Sequence, residues 1–301
     1  MRRCSQRSRD SMGLWCALHI LCCISILLSE CVGLVRFSCR ATRSLDMSAA
    51  ASPSVRDADS VHLQVISDFA CPWCYVGKAR LGAAIEAFER SSSSDGKGRA
   101  RVQVSFSPYM IDPRTQPGGE EYLAYNKRRW GGDGWTTSLK RSSKKDGCDF
   151  ANWKTWPNSL LAHRLQKFAD SAGKGDQQVN SLVFQTIYER GGNASDLETL
   201  VSLAAEAGLS PADARAYLSS GEGEEDVLRD DNRAKTELGV TGVPCFIVRG
   251  TGRESGSKAP DDTVGGSGSV GGAGQSETVR LNGAVAPDKL LRAFESVRRR
   301  G

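Results

Sequence analysis

The fold is decided by residues 61–88, which read VHLQVISDFACPWCYVGKARLGAAIEAF. The opening residues are rich in β-branched side chains that partly alternate with polar ones, and this pattern predicts a strand entering a core. From Pro72 onward, apolar residues recur at helical spacing and charged residues take the opposite face, so a helix is predicted there. Cys71 and Cys74 are therefore expected where a strand gives way to the N-terminus of a helix.

This position favours the chemistry of a reactive thiol. Unpaired backbone N–H groups and the positive end of the helix dipole stabilise a thiolate near the first helical turn. Cys71 is predicted to be the exposed nucleophile. Cys74, one turn further on, is predicted to be more buried and to resolve the mixed disulfide that Cys71 forms. Pro72 suits the first turn of a helix, and Trp73 adds no charge between the two cysteines.

A Cys-x-x-Cys pair has two other interpretations, which are half of a zinc site and an inert structural pair. A structural zinc needs two further ligands, usually a second cysteine pair or a histidine pair. Beyond residue 39 the other two cysteines, Cys148 and Cys245, are isolated in the sequence. We therefore predict redox chemistry and no metal at Cys71 and Cys74.

Composition narrows the class of protein. The 301 residues allow one large or two small domains, and a formal net charge of +5 with 25% charged residues is ordinary for a soluble globular protein. Basic residues are dispersed or in short runs, without a stripe interleaved with aromatic residues, so nucleic acid is not an expected partner. Six of the ten cysteines lie in the first 39 residues, which argues against a disulfide scaffold in the folded part.

Residues 1–60 have the composition of a targeting leader, and we expect them to be disordered. A head with four arginines is followed by an uncharged stretch over residues 11–29 and then by a segment rich in Arg, Ser and Ala. A cleavable signal for the secretory pathway is the first interpretation, an uncleaved membrane anchor the second, and a two-part plastid leader the third. If translation begins at Met47, the leader is absent and the protein is cytoplasmic.

The rest of the chain predicts two short β-containing halves around a helical block. Residues 61–108 predict a β-α-β half, since an alternating run at residues 101–106 follows the first helix and implies a parallel strand pair. Residues 239–298 predict a β-β-α half with antiparallel strands. Within that second half, residues 249–277 are rich in Gly and Ser and are expected to form a flexible loop.

Residues 109–238 predict an all-helical insertion. Capping boxes that begin at Ser195 and Ser210 mark two helix starts within it. Residues 131–150 predict a basic connector without regular structure. The other predicted helices of the insertion cover residues 120–130, 158–172, 179–189 and 224–238. The sequence as a whole thus predicts an α/β thioredoxin-like fold, with β-α-β and β-β-α halves and an inserted all-helical domain.

Three stretches resemble the DsbA-like thioredoxin superfamily, and specifically its FrnE-like branch, which is related to 2-hydroxychromene-2-carboxylate isomerase. The first is residues 67–78, SDFACPWCYVGK; the second is Asn158 together with the AHRL run at residues 162–165; the third is residues 239–244, GVTGVP. This resemblance implies that the Val243–Pro244 bond is cis and that its turn faces the first cysteine.

An X-Pro bond tolerates the cis form far better than other peptide bonds do. Because Pro244 has no N–H, the backbone polar groups of Val243 would be free to pair with an extended substrate. Cys245 departs from the family pattern, in which a bulky residue is common at this position. It is either a small buried hydrophobic residue or a third thiol near the site.

Three further residues are expected to support the site. Asp68 is either a hydrogen-bonded carboxylate at the end of a strand or a proton acceptor for Cys74. His163 matches the family's helical motif and is either a satisfied structural histidine or a contact for substrate or glutathione. Asn158 is carried over from the same motif.

The predicted function is that of a thiol–disulfide oxidoreductase, with Cys71, Cys74 and Pro244 as its catalytic residues. The expected partners are thiols and disulfides of proteins or small molecules, with glutathione as a candidate co-substrate and no other cofactor. One alternative is a glutathione-dependent small-molecule isomerase or transferase, although such relatives typically place Ser first and lack the second Cys. The other is a redox chaperone that binds clients without catalysis. A membrane is expected as a partner only if the leader is an uncleaved anchor.

Overall fold

The computed structural model of the protein describes residues 60–94, 100–173, 176–250 and 278–300. The expectations for the leader and for the loop of residues 249–277 therefore lie outside the described residues, except at positions 60, 249 and 250. None of the helices within the described ranges is both long enough and apolar enough to cross a membrane.

The described residues form six strands and nine α-helices. The strands are β1 (Val61–Ser67), β2 (Val102–Pro108), β3 (Glu120–Glu121), β4 (Thr155–Trp156), β5 (Cys245–Gly250) and β6 (Thr278–Asn282). The helices are α1 (Pro72–Ser94), α2 (Tyr122–Trp130), α3 (Trp135–Ser143), α4 (Leu160–Ser171), α5 (Asp176–Tyr188), α6 (Leu197–Glu206), α7 (Pro211–Ser220), α8 (Glu224–Thr236) and α9 (Pro287–Arg300).

A four-stranded sheet in the order β2-β1-β5-β6 carries the site. The predicted parallel pairing of β1 with β2 is confirmed, with Val65 opposite Phe106. The predicted antiparallel pairing of β5 with β6 is also confirmed, with Phe246 opposite Leu281. β1 lies antiparallel to β5, so the strand that leads into the cysteine pair runs beside the strand that follows Pro244.

Each face of the sheet has its own apolar layer. On one face, Phe88 of α1 and Phe294 of α9 meet edge to face with ring centroids 5.6 Å apart, and both are almost fully buried beside Phe246. Burying a phenylalanine stabilises a fold by about 1.5–3 kcal/mol, so this contact fixes α1 on the sheet. A smaller cluster on the other face includes Ile66, Ala234 and Ile247, where Ala234 belongs to α8.

The insertion departs from the all-helical prediction in two places. Residues 131–150 contain α3 instead of a connector without regular structure. Its apolar pattern is weak, but Leu139 is fully buried and Trp135 donates a hydrogen bond from Nε1 to Asn126 Oδ1 at 3.0 Å. The insertion also holds a two-stranded ladder, in which Glu120 pairs with Trp156. Strands of two residues leave no alternation that a sequence pattern can reveal.

β5 begins at Cys245, several residues after the start of the predicted β-β-α half at residue 239. Val240 ends the preceding helical segment, because its N–H donates to the carbonyl of Ala234 at 2.9 Å. The bond between Val243 and Pro244 is cis. The segment between α8 and β5 is therefore a turn, and its position places Val243 beside the start of α1.

Gly77 lies where α1 passes closest to that turn. A Cβ built on Gly77 would lie 2.8 Å from Pro244 Cγ and 3.4 Å from Phe246 Cζ, and the first distance is shorter than real Cβ contacts. The helix can lie this near Pro244 only because residue 77 has no side chain. Gly82, on the same helix, is exposed and has no atom within 4 Å of such a Cβ.

We expect Gly77→Ala to destabilise the protein by about 1–3 kcal/mol, the usual range for overpacking a buried contact. The matched control, Gly82→Ala, should stabilise it by up to about 1 kcal/mol because alanine favours helix more than glycine does. Urea denaturation of both variants measures the two free energies of unfolding. Equal effects of the two substitutions would show that the approach of α1 to Pro244 is not tight.

Candidate active site

The cysteine pair sits at the first turn of α1, as the sequence predicts. The N–H of Cys71 donates to the carbonyl of Asp68 at 3.0 Å, and the N–H of Cys74 donates to the carbonyl of Cys71 at 2.9 Å. Both cysteines are free thiols. Between them, Pro72 is buried and Trp73 is 38% exposed. The tryptophan is therefore the part of the motif that solvent reaches most easily.

Cys71 is less exposed than predicted, with only 7% of its surface accessible. The reason is the turn before β5, since Cys71 Sγ lies 3.7 Å from the carbonyl oxygen of Val243. The structure thus brings Cys71 and the Val243–Pro244 turn together, as the family resemblance implies. The turn therefore covers part of the Cys71 sulfur.

Cys74 lies deeper, with 2% of its surface accessible. The N–H of Asp68 donates to its sulfur at 3.5 Å. Burial raises the pKa of the Cys74 thiol well above its ordinary value, and the neighbouring Cys71 raises it further. Hydrogen bonds from Asp68 and Ser67 oppose this shift but do not cancel it. Cys74 is therefore a protonated thiol at neutral pH.

Asp68 organises the turn between β1 and α1. Its side chain is fully buried, where Oδ1 accepts a hydrogen bond from the N–H of Ala70 at 3.0 Å and Oδ2 accepts one from the N–H of Ile111 at 2.7 Å. These contacts fit the hydrogen-bonded carboxylate of the two interpretations offered for this residue. The main chain of Asp68 also contacts both cysteines, so one residue fixes the geometry of the pair.

His163 reaches this turn from α4. It is 4% exposed, and its ring lies against the ring of Phe69 with centroids 4.8 Å apart. Its Nε2 atom is 3.7 Å from Asp68 Oδ1, which is within ion-pair range but too long for a hydrogen bond. Nε2 has no hydrogen-bond partner among the described residues. This nitrogen therefore lacks the hydrogen bond that it would make in a satisfied structural histidine.

Asn158 makes contacts of a different kind. Its Nδ2 donates to the carbonyl of Thr115 at 2.8 Å, and its N–H donates to Ser195 Oγ at 2.7 Å. Its Oδ1 accepts from the N–H of Leu160 at 3.2 Å. These bonds join three separate segments of the insertion, so Asn158 shapes the start of α4, the helix that carries His163.

An aromatic cluster that the sequence does not reveal closes the inner side of the pair. The Tyr188 hydroxyl donates to the carbonyl of Phe69 at 3.1 Å, and the Tyr188 ring stacks on Tyr75 with centroids 5.3 Å apart. Burial raises the pKa of Tyr188 well above its ordinary value. In the sequence, the run of apolar residues on α5 predicts that this helix is buried. It does not indicate that the helix packs against the cysteine pair.

The other two described cysteines are also buried. Cys245 is fully buried in the cluster of Ile66 and Ile247, which fits its interpretation as a small hydrophobic residue. Burial raises the pKa of Cys148 to about 12, so this thiol is protonated at neutral pH. Within the described ranges, His, Cys, Asp and Glu form no group of three or more that could hold a metal ion.

Comparison with known proteins identifies the family. A family model described as the DSBA-like thioredoxin domain matches residues 62–266. The uncharacterized protein YwbO of Bacillus subtilis (strain 168) is 30% identical over 194 residues, which cover 64% of this chain and 88% of that protein.

Two solved structures share the fold. A probable DsbA oxidoreductase, SCO1869 from Streptomyces coelicolor, has a TM-score of 0.58 and 22% identity over 79% of this chain and 89% of its own. A protein from Nitrosomonas europaea named as a candidate protein disulfide isomerase has a TM-score of 0.53 and 15% identity over 80% of this chain and 100% of its own. The expected thioredoxin-like α/β fold is thereby confirmed. The family model spans more than half of the residues of this chain, so the chain belongs to the DSBA-like thioredoxin domain family.

Proposed function

We propose that the protein is a thiol–disulfide oxidoreductase that exchanges a dithiol for a disulfide at Cys71 and Cys74. The observation that carries this proposal is the unequal setting of the two sulfurs. Cys71 lies at the helix N-terminus against the carbonyl of Val243, whereas Cys74 is shielded behind it and protonated. A two-step exchange needs one sulfur that meets the partner and a second that acts only afterwards.

In the reducing direction, the Cys71 thiolate attacks a partner disulfide. One sulfur of that partner leaves as a thiolate, and the other forms a mixed disulfide with Cys71. Cys74 then loses its proton and attacks Cys71 Sγ, so that the bond to the partner breaks and the Cys71–Cys74 disulfide forms. The oxidising direction reverses these steps. In both directions two electrons pass between the partner and the pair.

The partner would be a peptide or small molecule that carries a thiol or disulfide. Exposed Trp73 offers an apolar surface beside Cys71, and the carbonyl of Val243 offers a hydrogen-bond acceptor next to the sulfur. Glutathione is a small thiol that could reduce the Cys71–Cys74 disulfide by the same exchange, so it belongs among the proposed partners. The presence of both cysteines favours this reaction over glutathione-dependent isomerisation, which requires no resolving thiol.

Replacing each cysteine separately should separate the two steps. We expect Cys71→Ser to abolish reduction of a peptide disulfide, since the remaining thiol, Cys74, is buried and protonated at neutral pH. Cys74→Ser should also abolish turnover but should accumulate a mixed disulfide between Cys71 and the peptide, visible as added mass in the intact protein.

The matched control is Cys148→Ala, which removes a buried thiol that makes no described contact with the pair and should leave turnover within about twofold of wild type. Turnover that survives in Cys71→Ser would contradict the proposed reaction. Absence of turnover in wild type, together with client binding that Cys71→Ser leaves unchanged, would favour a chaperone that binds clients without redox chemistry.

The raised pKa of Cys74 leads to a second prediction, which concerns how the reactivity of this thiol depends on pH. A thiol with a raised pKa remains protonated below that pKa, so its alkylation rate should rise only at alkaline pH. In the Cys71→Ser variant, where burial still raises the pKa of Cys74, iodoacetamide should label Cys74 at pH 8 at least about tenfold more slowly than a free thiol of pKa ~8.5. Mass spectrometry of peptides after timed quenching measures this rate. Labelling of Cys74 as fast as that of free cysteine would contradict the burial described above.

A further inference from the structure

A polar cleft lies between α1 and α5. Its volume is about 190 Å³. Because a water molecule takes up about 30 Å³ in the liquid, the cleft has room for roughly six waters or for one small organic molecule. Neither Cys71 nor Cys74 is among the residues that line it. The cleft is therefore a candidate binding site separate from the dithiol.

The wall that α5 contributes carries a stripe of polar side chains. Ser181, Gln185 and Glu189 all line the cleft, and their spacing of four residues places them along one face of the helix. Glu189 continues the last helical turn, because its N–H donates to the carbonyl of Gln185 at 2.9 Å. Ser181 Oγ donates to the carbonyl of Gln177 at 2.8 Å. The polar side of the cleft thus ends in a carboxylate.

The loop after α3 closes the cleft with Gly147 and Cys148. An ion pair ties this loop to α1, since Arg80 Nη2 lies 2.8 Å from Asp146 Oδ2 and both side chains are mostly buried. The third wall is therefore held in place by the fold. Burial raises the pKa of Cys148 to about 12, so its thiol brings no charge into the cleft at neutral pH.

Glu189 is a half-buried carboxylate that no cationic side chain neutralises in the part of the chain that the structure describes. Its Oε1 accepts a hydrogen bond from the Tyr75 hydroxyl. Burial and this carboxylate raise the pKa of Tyr75, so the hydroxyl stays protonated and remains the donor. The adjacent Arg190 pairs instead with Glu206, at 2.6 Å. Since a carboxylate can accept about four hydrogen bonds, Glu189 retains room for an ammonium group.

Two aromatic rings accompany this carboxylate. Tyr75 and Phe184 both line the cleft, and their ring centroids are 5.8 Å apart. Aromatic rings attract an ammonium group, and they also offer apolar surface to its substituent. Ala79, which lines the cleft one turn of α1 beyond Tyr75, adds to that apolar surface. This part of the cleft suits an ammonium group that carries an apolar side chain.

Lys78 supplies the opposite charge. It also lines the cleft, and it follows Tyr75 by three residues, which is about 4.5 Å along the axis of α1. Its ammonium group carries three N–H donors, which suit a carboxylate. Lys78 and Glu189 thus present opposite charges to one cleft, and in the described residues they form no ion pair with each other. A ligand that carries both charges would contact both side chains.

We propose that this cleft binds a small zwitterion of the α-amino acid class. Glu189 and the two aromatic rings hold the ammonium group, and Lys78 holds the carboxylate. An apolar side chain lies against Phe184 and Ala79. A molecule with only one of the two charges makes only one of the two charged contacts and binds more weakly. This site goes beyond the dithiol exchange and does not depend on it.

Three compounds with the same carbon skeleton test this assignment. L-leucine carries both charges, L-leucinamide lacks the carboxylate, and 4-methylpentanoate lacks the ammonium group. Titration of the reduced, ¹⁵N-labelled protein with each compound at pH 7, followed by amide chemical shifts, measures the three dissociation constants. We expect leucine to bind at least about tenfold more tightly than either analogue, since one hydrogen bond to a charged group accounts for about that factor.

Substitution of each charged residue should remove one part of this preference. Glu189→Gln keeps an acceptor for Tyr75 but loses the charge, so it should weaken leucine binding about tenfold and should bring leucine and 4-methylpentanoate to similar affinities. Lys78→Met should likewise bring leucine and leucinamide to similar affinities. The matched controls are Glu198→Gln on α6 and Lys127→Met on α2, both at exposed positions, which should leave all three dissociation constants unchanged.

Two results in wild type would overturn the zwitterion site, and neither needs a variant to fold. One is the absence of saturable shifts with leucine, and the other is equal affinity for leucine and both analogues. Leucine binding that Glu189→Gln leaves unchanged would overturn it as well. Because Cys71 and Cys74 do not line the cleft, each of these results leaves the proposed dithiol exchange intact.

Discussion

The contact between α1 and the turn before β5 is the constraint on which the site depends. Residue 77 has no Cβ, so Pro244 can lie against the helix that carries the cysteines. This approach sets the sulfur of Cys71 beside the carbonyl of Val243, which is 172 residues away in the sequence. A wider separation would leave the two cysteines at a helix end without the Val243 backbone beside them.

Cys71 and Cys74 differ in exposure because they lie on opposite sides of the contact between α1 and the turn. Toward the turn, Cys71 keeps a narrow exposed edge beside Trp73. Toward the interior, Cys74 meets the aromatic cluster and the N–H of Asp68. Burial makes the Cys74 thiolate costly, so this thiol is protonated at neutral pH. The same burial separates its proton from water.

The sequence predicted the parts of this site that are local and left out those that depend on distant contacts. The sequence pattern shows a strand, a Cys-x-x-Cys pair and an amphipathic helix in succession. The structure has them in the same order. α3 was missed because Leu139 is almost alone as its buried apolar residue, and a single position sets no period. The approach of His163 to Asp68 was also not predictable, since it depends on how α4 crosses the end of β1.

The position of α4 also changes what the helical insertion means for function. The insertion forms part of the wall around the cysteine pair, because α4 supplies His163 and α5 supplies Phe184 and Tyr188 against Phe69. Asn158 fixes the start of α4 by bonds to two other segments, so it helps to position the helix that carries His163. The thioredoxin-like halves therefore supply the sulfurs and the turn, while the insertion supplies much of the apolar cluster in which Cys74 is buried.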